Sequence, residues 1–372
     1  MFNSSEVETP FALVNRNKVQ ANATKVADYC NVHGIEWRPH VKTHKSRAVA
    51  AIQMEAGAIG LTVATPREAE VMATVCDDLL VAYPIWGESK LDRIMNISRN
   101  VDLMMGIDSI PTLGAVTESA KRAERTVRIL VEADVGMKRV GLQKTDEIVE
   151  LAQLVEQNSN VLYKGIMFYP GHIREPEDCQ ADRLRTLQED LNQIIEGLDA
   201  SRLCPEIVSG GSTPTIWNSH EISGLTEIRS GTCIFYDLED LHIGVATSND
   251  MAYSIVTTIV STSVPGQAVI DAGSKTLSKE RRGSSDVFAV LLDHPEVKVT
   301  ALTEEHGVLD LSQSQWQPKV GEMVRVLPAH VCVSANLQDH LTVQSEGKLR
   351  KWAMEARGRK VFRAQDENQL FT

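Results

Sequence analysis

Ile35-Glu36-Trp37-Arg38-Pro39-His40-Val41-Lys42 alternates apolar and polar residues, which is the two-residue period of a β-strand. Ile35, Trp37, Pro39 and Val41 would then face a hydrophobic layer, with Glu36, Arg38, His40 and Lys42 on the opposite side. Cations along one face of a half-buried strand are costly unless that face lines a polar cavity or holds an anion. The stretch therefore predicts an anionic ligand. The basic run continues through Thr43, His44, Lys45 and Ser46.

Before this strand, Asn17 to His33 carries Val19, Ala23, Val26, Ala27 and Cys30 at helical spacing and ends at Gly34. After it the unit repeats. Strand-like runs at 59–64, 79–83, 101–107, 127–133, 162–169, 206–208 and 226–228 are separated mostly by helical stretches. One of these, opened by Thr65-Pro66, has an N-cap followed by a first-turn proline. With the strand from Ile35, that makes eight candidates over about 200 residues, a βα alternation that predicts a closed (β/α)8 TIM barrel at 16–245. An open doubly wound sheet is the alternative.

After about Val245 the texture changes to short β-branched runs, at 254–261, 268–271, 287–291, 297–302, 323–327 and 341–344, with Gly, Pro and Asp between them. These read as antiparallel strands. The second, all-β domain is accordingly expected to comprise 246–372 together with 1–15, whose run Pro10 to Val14 supplies an extra strand.

The chain has 372 residues, 42% of them hydrophobic, and a net charge of −12. Nucleic acid and anionic membranes need a basic footprint, so neither is an expected partner. Local cations must then serve a small anion. No apolar run approaches about 18 residues, and Met1 to Pro10 is polar and acidic, so no membrane span or signal peptide is expected. The six cysteines lack framework spacing and read as reduced thiols of a cytoplasmic enzyme.

In a (β/α)8 barrel the active site lies at the C-terminal strand ends, with phosphate commonly held by the loops after strands 7 and 8. Here these loops are Ser209-Gly210-Gly211-Ser212-Thr213 and Ser230-Gly231-Thr232. Glycine-exposed N–H groups and hydroxyls suit a phosphate, although either loop alone could be a plain tight turn. Lys42, at a strand end among other cations, reads as an amine nucleophile toward an aldehyde. Together these predict pyridoxal 5'-phosphate held by Lys42. Lys45 is the rival lysine, and simple phosphate binding or ion pairing the rival role for Lys42. In an extended stretch His330-Val331-Cys332 would put imidazole and thiol on one face, close enough to share a divalent ion. A buried cysteine and a satisfied histidine are the bland alternative.

Arg38-Pro39-His40-Val41-Lys42-Thr43-His44-Lys45, the Gly136 to Gly141 loop, the run at 211–214, Thr226 to Asp237, Glu305-His306-Gly307 and Pro328 to Cys332 together resemble the D-threonine aldolase and D-serine dehydratase family. These are metal-dependent, fold type III relatives of alanine racemase, and the likeness extends over nearly the whole chain. The resemblance implies that Lys42 carries the cofactor, that Arg139 lies near its phenolic oxygen, and that Arg229 occupies the position that meets the pyridine nitrogen in alanine racemases. His40, Tyr169, Ser209, Gly211, Ser212, Thr213, Gly231 and Thr232 complete the expected cofactor site. By the same resemblance His330 and Cys332 bind the metal, zinc by the thiolate's preference or manganese by the aldolase branch. Tyr169, at the sixth strand's end, faces substrate or cofactor, and His172 is a candidate base. Asp237, Asp271 and Lys275 have no assigned role.

The expected substrate is a D-3-hydroxy amino acid. Loss of its hydroxyl proton would give retro-aldol cleavage; loss of its α-proton would give dehydration and deamination. Tyr169, where the dehydratases carry histidine, tilts the expectation toward aldolase. A racemase would need a second base, for which Tyr253 is the only tyrosine in the β domain, and a non-catalytic cofactor carrier would not need that domain. A homodimer is expected by resemblance.

Overall fold

The computed structural model describes residues 7–282 and 286–359. The ends of the expected second domain at 1–6 and 360–372, with part of the acidic N-terminal stretch, lie outside the described residues.

The chain folds as two compact units. One, whose described residues are 27–173, 178–231 and 355–359, contains an eight-stranded parallel sheet. The other, whose described residues are 7–26, 174–177, 232–282 and 286–354, contains a nine-stranded sheet.

The chain opens with β1 (Phe11–Asn15) and α1 (Arg16–His33), and the division falls within α1. The parallel sheet follows as β2 (Glu36–Trp37), β3 (Leu61–Val63), β4 (Asp78–Val81), β5 (Asp102–Ile107), β6 (Val127–Ala133), β7 (Val161–Phe168), β8 (Ile207–Gly210) and β9 (Glu227–Ile228). From β3 to β9 each strand pairs with its sequence neighbour, and β2 pairs with β9. The circuit closes where Ile59 N–H donates to Trp37 O, Thr62 N–H donates to Pro39 O, both at 2.9 Å, and His40 bridges Thr62. The result is the TIM-like arrangement expected from the alternation. Between the strands run α2 (Arg47–Glu55), α3 (Pro66–Met72), α4 (Glu88–Met95), α5 (Ile110–Arg122), α6 (Thr145–Glu156) and α7 (Ala181–Ala200). The α3 cap is the one read from Thr65-Pro66: Thr65 Oγ1 accepts the Glu68 N–H at 3.2 Å. Leu80, Met104, Leu130 and Met167 fill the sheet's interior.

The opening strand is shorter than its alternation suggests. Only Glu36–Trp37 is strand, and Val41–Thr43 is a turn of 3-10 helix. Pro39 has no N–H to donate and contributes only its carbonyl, which accepts the Thr62 N–H, before the chain turns at Val41. Lys42 consequently sits on a helical turn and not at a strand end. The cation row also resolves differently: Arg38, 2% exposed, donates to both oxygens of Glu227 and to Asp78. Carboxylates of the protein, supplied by β9 and β4, satisfy it without a ligand.

The second unit has α8 (Leu238–His242), β10 (Tyr253–Ser261), β11 (Gln267–Ile270), α9 (Ser274–Leu277), β12 (Ala289–Leu291), β13 (Lys298–Leu302), β14 (Gly307–Asp310), β15 (Met323–Pro328), α10 (Val331–Leu337), β16 (His340–Ser345) and β17 (Lys348–Ala353). Strands β10, β11, β14, β13, β12 and β15 pair in that order and back to β10, forming a closed antiparallel barrel, from which β1, β16 and β17 extend. β1 is the extra member read from the sequence; it lies antiparallel to β10 and parallel to β16. Residues 330–332 are not one extended stretch: His330 is extended at the N-cap position of α10, and Cys332 lies in the helix's first turn.

Candidate functional site

In the parallel-sheet unit, residues from three βα connections converge on one aromatic ring. Lys42 Nζ lies 5.6 Å from the centroid of the Tyr169 ring, which follows β7 directly, and the Arg139 guanidinium carbon lies 5.0 Å from the same centroid. Arg139 belongs to the loop after β6. Asp134 folds that loop by accepting the N–H groups of Gly136 at 3.1 Å and Lys138 at 2.9 Å. Among the described residues Lys42 makes no ion pair, whereas Lys45 pairs with Glu68, whose side chain is fully buried. The two lysines of the motif are thereby separated by their partners.

His40 is the N-cap of the Lys42 turn, its Nδ1 accepting the Lys42 N–H at 3.3 Å. Burial first, and then Lys42 and Arg229, hold its pKa well below the usual imidazole value. It is therefore neutral, as an acceptor Nδ1 requires. Arg229 is buried and donates to Ser209 Oγ at 2.6 Å and to Phe168 O at 2.7 Å, while Ser209 donates to Glu227 at 2.7 Å. The Ser209 hydroxyl is thus engaged within the sheet. The neighbouring loops are built for close backbone approach. Gly211 takes φ +77°, and a Cβ on Gly231 would fall 2.3 Å from His40 O, so neither position accommodates a larger residue without strain. Ser212 and Thr213 are buried, with Ser212 Oγ bonded to Thr215 Oγ1 at 3.1 Å. His172 is exposed on the loop after β7, its ring against Gly136.

Glu132 is a site residue that no sequence pattern singles out. It is 4% exposed and shares the interior face of β6 with Leu130. Burial pushes its carboxyl up to about 7, and its Oε2 has no hydrogen-bond partner among the described residues. With Arg139 and Tyr169 it lines one pocket.

The antiparallel unit carries the other candidate group. His330 Nδ1 is 3.0 Å from Glu280 Oε2, and Cys332 Sγ is 3.7 Å from Thr232 Oγ1. The turn between them is held from outside, because Asp237 Oδ2 accepts the Val331 N–H at 3.1 Å while its Oδ1 caps α8. Arg282 is bonded to Glu280 at 3.1 Å and to Glu239 at 3.3 Å; Arg174 reaches Glu239 at 2.8 Å. Although burial opposes it, Asp237, Glu239 and Cys332 together raise the Arg282 pKa. Among the described residues no group of three or more His, Cys, Asp or Glu is arranged to hold a metal ion. His330 and Cys332, expected from the sequence to bind metal, thus have no third donor of these types arranged with them among the described residues. The remaining polar candidates are structural: Asp271 accepts Thr257 Oγ1 at 2.6 Å and Thr258 N–H at 2.9 Å, and Lys275 pairs with Glu305 on the surface. Tyr253 is buried and bonded to Ser334 Oγ at 3.1 Å, with burial raising its pKa further. It is poorly disposed to act as a base.

No helix among the described residues is long and apolar enough to cross a membrane. The chain is 28% identical to the D-threo-3-hydroxyaspartate dehydratase of Delftia sp. (strain HT23), over 93% of this chain and 97% of that one. Its fold is similar to that of the D-threonine aldolase from Filomicrobium marinum, with a TM-score of 0.86, 26% identity, and coverage of 94% of this chain and 95% of that one. A structure of a D-threo-3-hydroxyaspartate dehydratase variant in the metal-free form matches with a TM-score of 0.85 and 25% identity, covering 95% of this chain and 99% of that one. Residues 252–344 match the model of a serine dehydratase domain. Residues 14–239, the greater part of the chain, match the model of the alanine racemase N-terminal domain, and the chain belongs to that family.

Proposed function

We propose that the chain is a pyridoxal 5'-phosphate- and divalent-metal-dependent lyase of D-3-hydroxy amino acids, and that it cleaves D-threonine to glycine and acetaldehyde. The observation that carries this reading is the convergence of Lys42 and Arg139 on Tyr169, with Lys45 withdrawn into its pair with Glu68. The donor set fits the cofactor. An aldehyde calls for an amine without a competing carboxylate, and a phosphate for glycine-lined, hydroxyl-bearing loops such as Gly211–Thr213 and Gly231. The orphaned Glu132 oxygen marks the same interior as built for a polar partner. When bound there, the cofactor supplies an electron sink at the substrate's α-carbon.

Lys42 would hold the cofactor and Arg139 would steady it beside Tyr169, while Arg229, fixed by Ser209 and Phe168, would supply a second cation. Tyr169 orients the substrate between the two cations, and Tyr169 and His172 are the candidates for holding the proton of the substrate's hydroxyl. His330 and Cys332 would hold the ion. An imidazole and a thiol suit zinc, and a bound divalent ion supplies Lewis acidity toward a hydroxyl oxygen.

The likeness to a D-threo-3-hydroxyaspartate dehydratase supports a second reading, loss of the α-proton followed by departure of the hydroxyl. One substrate separates the two. With the ion and cofactor present, D-threonine yields glycine and acetaldehyde if the chain is an aldolase, and 2-oxobutanoate and ammonia if it is a dehydratase. Failure to form either glycine with an aldehyde (acetaldehyde from D-threonine, glyoxylate from D-threo-3-hydroxyaspartate) or a 2-oxo acid with ammonia would end the lyase reading.

A further inference from the structure

A histidine that binds a metal through one ring nitrogen commonly donates the other N–H to a fixed acceptor, which sets its tautomer and its aim. His330 has such an acceptor in Glu280, whose Oε2 lies 3.0 Å from Nδ1. The carboxylate is itself anchored. Its Oε1 accepts from Arg282 Nε at 3.1 Å, Arg282 reaches Glu239 at 3.3 Å, and Glu239, with a side chain 2% exposed, is held again by Arg174 at 2.8 Å. The backbone is fixed independently, by the Val331 N–H donated to Asp237. With the imidazole only 8% exposed, little water is available to take the place of Glu280.

We infer that Glu280 is the positioning residue of the metal site: it takes the His330 Nδ1–H, so that Nε2 is presented to the ion beside Cys332. The inference rests on the reading of His330 and Cys332 as metal ligands. At 3.0 Å the two groups are at ion-pair distance without the N–H···O alignment of a made hydrogen bond, so that bond is one the inference assigns to the metal-bound ring. Glu280 thus acts through the imidazole, and Arg282 keeps its second oxygen occupied.

The test is the dissociation constant of Zn²⁺ or Mn²⁺, measured by competition with a chelating dye on metal-stripped, cofactor-loaded protein whose folding is checked by circular dichroism. Glu280→Ala is expected to weaken binding about 10- to 100-fold. Glu280→Gln, whose amide oxygen still accepts from Nδ1–H, should recover much of that loss. Glu305→Ala, which removes an exposed carboxylate of the same unit, should change nothing. His330→Ala and Cys332→Ala should abolish tight binding. If those two variants bind the ion like the wild type, the ligand reading itself falls. If they lose the ion while Glu280→Ala keeps the wild-type constant, the positioning role is overturned and the ligand reading stands. Loss in Glu280→Gln as complete as in Cys332→Ala would make Glu280 a ligand, and would overturn the inference in the other direction.

Discussion

His40-Val41-Lys42 and His330-Val331-Cys332 are the same local device used in two ways. In each, an extended histidine occupies the N-cap position of a helical turn and the proposed functional residue is the second residue of that turn. Both imidazoles are nearly buried, 9% and 8% exposed. The difference is who caps the turn. His40 spends its Nδ1 on the Lys42 N–H and is kept neutral by burial and by the cations around it. In the other turn Asp237 takes the backbone N–H, and the His330 ring lies beside Glu280. One histidine serves the backbone that carries a lysine; the other makes no side-chain cap bond, as the proposed ligand role requires.

If the first turn exists to present Lys42, its removal should have the largest effect of any single change. Lys42→Ala is expected to lose the visible absorption of bound cofactor and more than about a thousandfold in activity. The metal turn comes next. Cys332→Ala, or treatment of the wild type with a chelator, should lower the rate about a hundredfold or more, with added ion restoring only the wild type. A smaller effect distinguishes the lysines. Lys45→Ala should keep the cofactor's absorption yet lose about 3 kcal/mol of stability in denaturant titration, because it strands the buried Glu68 carboxylate.

The same contrast has a pH signature. Burial lowers His44, next to the first turn, to about 4 from 6.5, and lowers His40 in the same direction. Between those two values the unfolded imidazole binds a proton and the folded one does not, so stability rises with pH across that window. Acidification from about 6.5 toward 4 should therefore cost up to about 3 kcal/mol from His44 alone, and His44→Asn should flatten that limb of a pH series of unfolding curves. The smallest expected change is in the second turn. Asp237→Ala removes an acceptor shared by α8 and Val331, at about 1 kcal/mol in unfolding and a measurable loss of ion affinity, while Asp237→Asn should retain most of both.

What can be read from the sequence depends on how local the cause is. The runs that form β5, β6 and β7 are nearly continuous apolar stretches, and the Thr65 cap is a four-residue device, so both are legible. β17 is not: it is an edge strand paired only with β16, and most of its side chains are exposed, including those of Lys348, Arg350 and Lys351. A solvated, charged edge carries no two-residue hydrophobic pattern. The two His-Val-X turns look like strands because alternation over a few residues does not reveal a helical turn or a cap supplied from afar. Asp237 lies 94 residues from the N–H it accepts. For the same reason Glu280, Arg282 and Glu132 carry no local signal, since each is defined by partners brought in by the fold.

The most direct test of Lys42 as the cofactor lysine is chemical mapping: reduction of the cofactor-loaded protein with borohydride, digestion, and mass analysis of the peptides spanning the motif. The phosphopyridoxyl mass should appear on Lys42. Its appearance on Lys45, or on neither lysine, would contradict the assignment.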